Sequence, residues 1–169
     1  MIQLAPYDPG WPAMFEAEAS VIVKTLGSLV RRIDHVGSTA VLGLAAKPVI
    51  DLQVSVQSLE QIAAFLPRLA ALGYAHVPLG DFDRVYPFFQ KPELWPSTHH
   101  VHLCVEHGEL EKRHLLFRDR LRANPALAAA YLTLKRKLAS ENHGATLESR
   151  EQYSLGKSAF VASVLAERP

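Results

Sequence analysis

The sequence predicts an α+β domain: a mixed sheet of about five strands with helices packed on it, followed by a C-terminal helical part. Three observations predict it. Before Glu109, apolar β-branched segments alternate with helical ones, and the last three strand-like segments follow one another with no helix between them. From Glu109 onward the periodicity is helical. No internal repeat, low-complexity tract or linker interrupts the 169 residues, so 1–169 reads as a single domain, large enough to bury a real core.

Pro12 opens a first helix that runs to Leu26 and stops at Gly27. Arg32 to Val36 reads as a strand leading into a Gly37-Ser38 turn. Val49 to Val56 is a second strand whose continuous apolar character suggests a central position. Ser58 and Gln61 form a capping-box pattern for a helix to Leu72, closed by Gly73 and kinked or shortened by Pro67. Tyr74 to Val77, Val85 to Lys91 and His100 to Val105 read as three strands, antiparallel neighbours in the sheet. Leu110 to Arg122 is helical. Asn124-Pro125 supplies an N-cap and first-turn proline for the next helix, to Glu141, and Ser149 with Gln152 caps a last helix to Ala166.

With 49% hydrophobic and 21% charged residues the chain is an ordinary globular one, and its formal net charge of +1 gives no whole-molecule case for nucleic acid or membrane binding. The charge is unevenly spread. Between Lys112 and Lys137 eight basic residues (Lys112, Arg113, Arg118, Arg120, Arg122, Lys135, Arg136, Lys137) face one acid, Asp119. Such a run is either a solvated helical face or an electropositive wall for a phosphate-bearing ligand. Cys104 is the sole cysteine, which excludes an intrachain disulfide and points to a reducing compartment; in an apolar strand it reads as an inert buried thiol. Neither a signal-peptide pattern nor an apolar run of transmembrane length is visible, so a cytoplasmic location is expected.

The chemistry concentrates between His35 and Asp51. A Gly-Ser pair after a strand offers backbone N–H groups and a hydroxyl to an anion, with no Cβ at Gly37 to block approach. Thr39 follows directly. Asp51, between Ile50 and Leu52, is a carboxylate in a buried strand, which is costly unless it is paired, hydrogen-bonded or on a metal. Gln53 projects from the same face but offers only a neutral carbonyl where a second metal ion would want a carboxylate. His100 and His102 share one strand face, with His99 and Val101 on the other; if their strand lies beside that of Asp51, the three side chains converge on one ion, and imidazole biases such a site toward zinc, manganese or iron over magnesium. Lys47 sits either near a bound anion, as a point charge for phosphate, or in a solvated loop. His35 braces the turn or touches a ligand; Arg84 and Lys91 flank an aromatic strand, with Arg84 within reach of the cleft. Tyr131 and Lys135, like Tyr153 and Lys157, share a helix face. Each pair is either packing with a snorkelling lysine, or a tyrosine stacked on a base with its lysine on phosphate.

Taken together, these residues resemble the GrpB family. The resemblance runs nearly end to end: Tyr7-Asp8-Pro9-Gly10-Trp11-Pro12, His35-Val36-Gly37-Ser38-Thr39-Ala40-Val41, Ala46-Lys47-Pro48-Val49-Ile50-Asp51-Leu52, Leu72-Gly73-Tyr74, His100-Val101-His102, Phe117 to Arg122, Tyr131 to Lys135 and Tyr153 to Lys157. It implies the nucleotidyltransferase fold. In that wider superfamily, acids after a Gly-Ser turn bind two magnesium ions for nucleotidyl transfer. Gly37 and Ser38 match the turn and Asp51 the first acid. Gln53 departs from the pattern at the second, and His100 or His102 lies where the third is expected. Some related domains occur fused to dephospho-coenzyme A kinase, which this chain lacks.

The expectation is therefore a nucleotidyltransferase-like protein acting on a nucleoside triphosphate, with Asp51 as the catalytic and metal-holding residue. Gly37, Ser38, Thr39, Lys47, Lys135 and Lys157 would hold phosphate, and His100 and His102 would share a divalent metal: magnesium or manganese, with zinc the imidazole-favoured option. The alternative is a nucleotide-binding module of the same fold without catalysis, motivated by Gln53. A third reading is a metal-dependent phosphohydrolase built on Asp51, His100 and His102. The partner is a nucleotide or other phosphate-bearing small molecule, with no membrane and no nucleic acid expected.

Overall fold

The structure is a computed structural model, and it describes residues 2–142, 144 and 146–166. Helix α1 (Trp11–Leu26) precedes strands β1 (Val30–Val36) and β2 (Ile50–Val56). Helix α2 (Ile62–Ala71) follows, then β3 (Ala75–Val77), β4 (Phe88–Lys91) and β5 (His99–Val105). Helices α3 (Glu109–Ala123), α4 (Pro125–Glu141), α5 (Leu147–Leu155) and α6 (Ser158–Ala166) complete the chain.

The five strands form one mixed sheet in the order β1-β2-β5-β4-β3. Only β2 and β5 pair in parallel; the other neighbours are antiparallel. The apolar run Val49–Val56 thus yields an interior strand, as its composition requires. Side-chain alternation then divides the sheet. One face carries Ile50, Leu52, Val54, Val56, Phe89, Val101 and Leu103, sealed by Trp11, Ile22 and Leu26 of α1 and by Phe65 and Leu69 of α2. Phe65 and Leu69 lie one turn apart, so α2 buries a stripe despite Pro67 in its interior. The opposite face of β2 and β5 carries Asp51, Gln53, Ser55, His100, His102 and Cys104, and α3 crosses it. Cys104 is buried and free. Among the described residues no helix is long and apolar enough to cross a membrane.

Three local expectations are corrected. The strand expected from Val85 begins at Phe88. Val85 and Tyr86 instead donate their N–H groups to the Phe82 carbonyl, closing a turn, and Pro87 has no N–H for a ladder. The Ser58 hydroxyl accepts from the Glu60 N–H at 3.1 Å and does not cap α2, which starts later, at Ile62. The single C-terminal helix is two. The Thr146 hydroxyl, not Ser149, caps α5 by accepting from the Ser149 N–H at 3.2 Å. The chain breaks at Gly156, where a Cβ would lie 2.5 Å from Leu138 Cδ2. Close packing against Leu138 of α4 favours glycine there.

Candidate functional site

Asp51 sits opposite Val36 in the β1–β2 ladder, and the chain turns immediately afterwards at Gly37. Gly37 has φ +70°, and a Cβ on it would approach Asp51 Oδ2 to 2.3 Å. The glycine is required twice: for the left-handed turn and for the carboxylate beside it. The loop beyond is held by cations from the C-terminal helices. Arg118 Nη1 donates to the His35 carbonyl at 3.1 Å, Arg122 Nε to that of Ala40 at 2.9 Å, and Lys135 Nζ to that of Ala45 at 2.6 Å. Three of the eight residues of the basic run thus clamp this loop. His35 braces it from the apolar face: its ring stacks on Phe15 at 4.8 Å, and Nε2–H donates to the Thr39 hydroxyl (3.0 Å), which donates onward to the Val49 carbonyl (3.1 Å). Burial lowers the His35 pKa to about 4, so the ring is neutral. Thr39 thereby has its hydroxyl committed inside the loop.

The parallel register sets Asp51 beside His100 and Gln53 beside His102. Asp51 Oδ1 lies 3.2 Å from His100 Nδ1 and 3.0 Å from His102 Nε2. Burial pushes this carboxyl up, but the two imidazoles outweigh it and hold the group well below the usual carboxylate range. One ligand atom from each of the three residues lies within 4.8 Å of the others, a donor set of two imidazoles and a carboxylate that suits one divalent transition-metal ion. His99 faces the other way, toward the Lys91–Glu18 ion pair, whose atoms are 2.8 Å apart.

The triad opens onto a cavity of about 380 Å³. Gly37, Ser38 and Thr39 line one side and Lys47, Lys135 and Lys157 another, with Tyr86, Phe88, Tyr131 and Tyr153 between. Lys135 Nζ stands 5.1 Å from the Tyr131 ring centroid, and Lys157 and Lys47 stand 4.6 and 4.9 Å from that of Tyr153. Burial lowers the pKa of Lys135 to about 7 and of Lys157 to about 8, and lowers that of Lys47 as well. Arg84 does not reach this cavity. It borders a larger groove of about 1020 Å³ between α2 and the segment before β4, lined largely by apolar side chains such as Leu66, Phe82 and Val85.

Gln53 shares the Asp51 face as the alternation requires, yet it is fully buried and cannot offer its carbonyl to an ion in the cavity. Its Oε1 faces His114 Nδ1 at 2.7 Å, and its Nε2 donates to the Glu111 carbonyl at 3.5 Å. Sequence reasoning missed His114 and the role of Tyr86, whose hydroxyl lies 2.7 Å from His102 Nδ1. His114 is hidden in a basic helix that reads as solvated, and Tyr86 in a segment that reads as strand.

A five-stranded mixed sheet with a Gly-Ser turn beside an acidic strand, backed by helices, defines an α+β domain of the nucleotidyltransferase-like class. The family model described as "GrpB protein" matches residues 1–167, and the chain belongs to the GrpB family. The crystal structure of conserved protein GrpB from Enterococcus faecalis superposes with a TM-score of 0.82 at 34% identity, covering 96% of this chain and 94% of that one. The UPF0157 protein YqkA of Bacillus subtilis is 34% identical over 161 residues, which is 95% of this chain and 45% of YqkA. A dephospho-CoA kinase of Mycolicibacterium paratuberculosis is 33% identical over 158 residues, 80% of this chain and 39% of that protein. The chain thus spans less than half the length of these two relatives.

Proposed function

We propose that this protein binds a nucleoside triphosphate with one divalent metal ion in the cavity beside Asp51, and transfers a nucleotidyl group to an acceptor. The observation that carries the reading is the convergence of a carboxylate–imidazole triad, a Gly-Ser turn and three lysines on one cavity of about 380 Å³. Asp51, His100 and His102 would hold the metal, manganese or zinc by ligand type. When bound, such an ion neutralises and orients phosphate oxygens. Ser38, the Gly37 backbone and Lys47, Lys135 and Lys157 would receive the polyphosphate, while the buried rings of Tyr131 and Tyr153 support the lysines. Each lysine is already partly desolvated, which strengthens its attraction to an anion.

The fate of Gln53 favours a second reading, in which the site binds but does not turn over. The second acid of a two-metal mechanism is replaced by an amide spent on internal hydrogen bonds. One experiment tests both. Triphosphates are titrated with manganese or zinc while the thermal midpoint and pyrophosphate release are followed. At about 100 times the dissociation constant, binding adds roughly 2.7 kcal/mol of stability. A shift with pyrophosphate release, both lost in Asp51→Asn, supports transfer, and a shift alone supports the binding module. No shift with any triphosphate and metal overturns both.

A further inference from the structure

The amide at Gln53 is the first link of a buried hydrogen-bond chain that ends on the metal triad, and its polarity can be followed proton by proton. The Glu111 backbone carbonyl is an acceptor only, so the Gln53 amide must present Nε2–H to it, at 3.5 Å. Gln53 Oε1 then accepts, and its neighbour at 2.7 Å, His114 Nδ1, must carry a proton. In a neutral ring that leaves His114 Nε2 bare; of the two ring nitrogens it is the nearer to the Tyr86 hydroxyl, 3.2 Å against 3.5 Å for Nδ1, and the one able to accept its proton. With its proton turned to His114, the Tyr86 oxygen accepts from His102 Nδ1–H at 2.7 Å. A His102 ring with a single proton therefore carries it on Nδ1 and leaves Nε2, the atom that faces Asp51 Oδ1 at 3.0 Å, without one.

Two lone-pair atoms at that separation need a cation between them, either a second proton on the His102 ring or a metal ion. His100 Nδ1, 3.2 Å from the same carboxylate oxygen, adds a third donor. We infer that Gln53, His114 and Tyr86 are positioning residues that fix His102 in its Nδ1–H tautomer, so that Nε2 joins Asp51 and His100 in binding a single transition-metal ion. The inference rests on the metal-binding part of the function proposed above and gives it a physical basis. Ligating histidines are tuned in this way by the partner of their other nitrogen. It also reassigns Gln53: the amide does not stand in for a second metal-binding acid, but orders the shell behind a one-metal site. A glutamate there could not donate to the Glu111 carbonyl and would leave that end of the chain unpaired. The selectivity follows from the donors, with zinc or manganese held in preference to magnesium.

The test separates tautomer from metal. Nitrogen-15 correlation spectra of the metal-free protein, with the His102 ring neutral, should show the proton on Nδ1, and Tyr86→Phe should mix the two tautomers. Zinc alone is then titrated by calorimetry. Tyr86→Phe and, as a second and less buried break in the chain, His114→Gln should each weaken zinc binding about 10- to 100-fold, with the far-UV spectrum of the folded protein retained. A neutral His102 protonated on Nε2, or zinc affinity in both variants equal to wild type, overturns the inference and leaves triphosphate binding standing. An Nδ1–H tautomer in a wild-type protein that binds neither zinc nor manganese overturns the metal assignment here and in the function proposed above together.

Discussion

The two faces of the central sheet are built from the same strands to opposite rules. On β2 and β5, Leu52, Val54, Val101 and Leu103 point to one side and are completely buried in an apolar core. Asp51, Gln53, Ser55, His100 and His102, alternating with them, point to the other. The apolar face is stabilised by burial, which is tolerant of detail. The polar face stands only because each group meets a partner: Ser55 donates to the Glu111 carboxylate at 2.5 Å, and Glu111 also accepts the His107 N–H at 2.7 Å. Among the described residues no buried side-chain nitrogen or oxygen lacks a hydrogen-bond partner. A strand alternation that would normally separate core from solvent here separates an apolar core from a hydrogen-bonded polar layer.

The contrast can be broken from either side. The largest effect is expected on the apolar face: Leu52→Ala should cost about 2–5 kcal/mol in urea unfolding, while the fraction still folded keeps its triphosphate affinity. An accompanying loss of binding would show that the faces are not separable. Next comes Gly37→Ala, which combines a strained φ with a clash on Asp51. It should cost about 1–3 kcal/mol and, unlike Leu52→Ala, remove ligand binding in the folded protein. Lys157→Met should weaken triphosphate binding about tenfold, or roughly 1.4 kcal/mol, with unfolding stability equal to or above wild type because a buried charge is gone. Equal affinity in calorimetry would remove Lys157 from the site.

The smallest effect is a slope with pH. Burial lowers Lys135 from 10.5 to about 7, so between these values the unfolded chain binds a proton that the folded one does not. Stability should therefore rise as pH climbs from about 7 toward 9, and this part of the rise should vanish in Lys135→Met. Triphosphate affinity should move the opposite way in wild type, falling as the lysine loses its charge. Parallel pH profiles for the two quantities would contradict the placement of Lys135 in the anion site.

Much of this was legible from the sequence. The Gly-Ser turn, the central apolar strand and the shared face of His100 and His102 all follow from local pattern. Their convergence with Asp51 needed one non-local fact, the parallel pairing of β2 with β5, which periodicity does not encode. The shell behind the triad was less visible still. Gln53 and His114 are 61 residues apart, and neither carries a local signal of the other. Tyr86 failed for a different reason: its β-propensity is genuine, but Pro87 ends the turn that aims it inward. The basic run reads as a face or a wall because charge alone does not say that an arginine will seek a backbone carbonyl.

That last feature has a mechanical corollary. Arg118, Arg122 and Lys135 grip carbonyls at positions 35, 40 and 45, so the floor of the cavity hangs from helices encoded far downstream. Under the proposed function, ligand binding would be coupled to the docking of α3 and α4. An occupant of the cavity would act as a rivet between the early and late parts of the chain, slowing amide exchange in α4 as well as in the loop it touches.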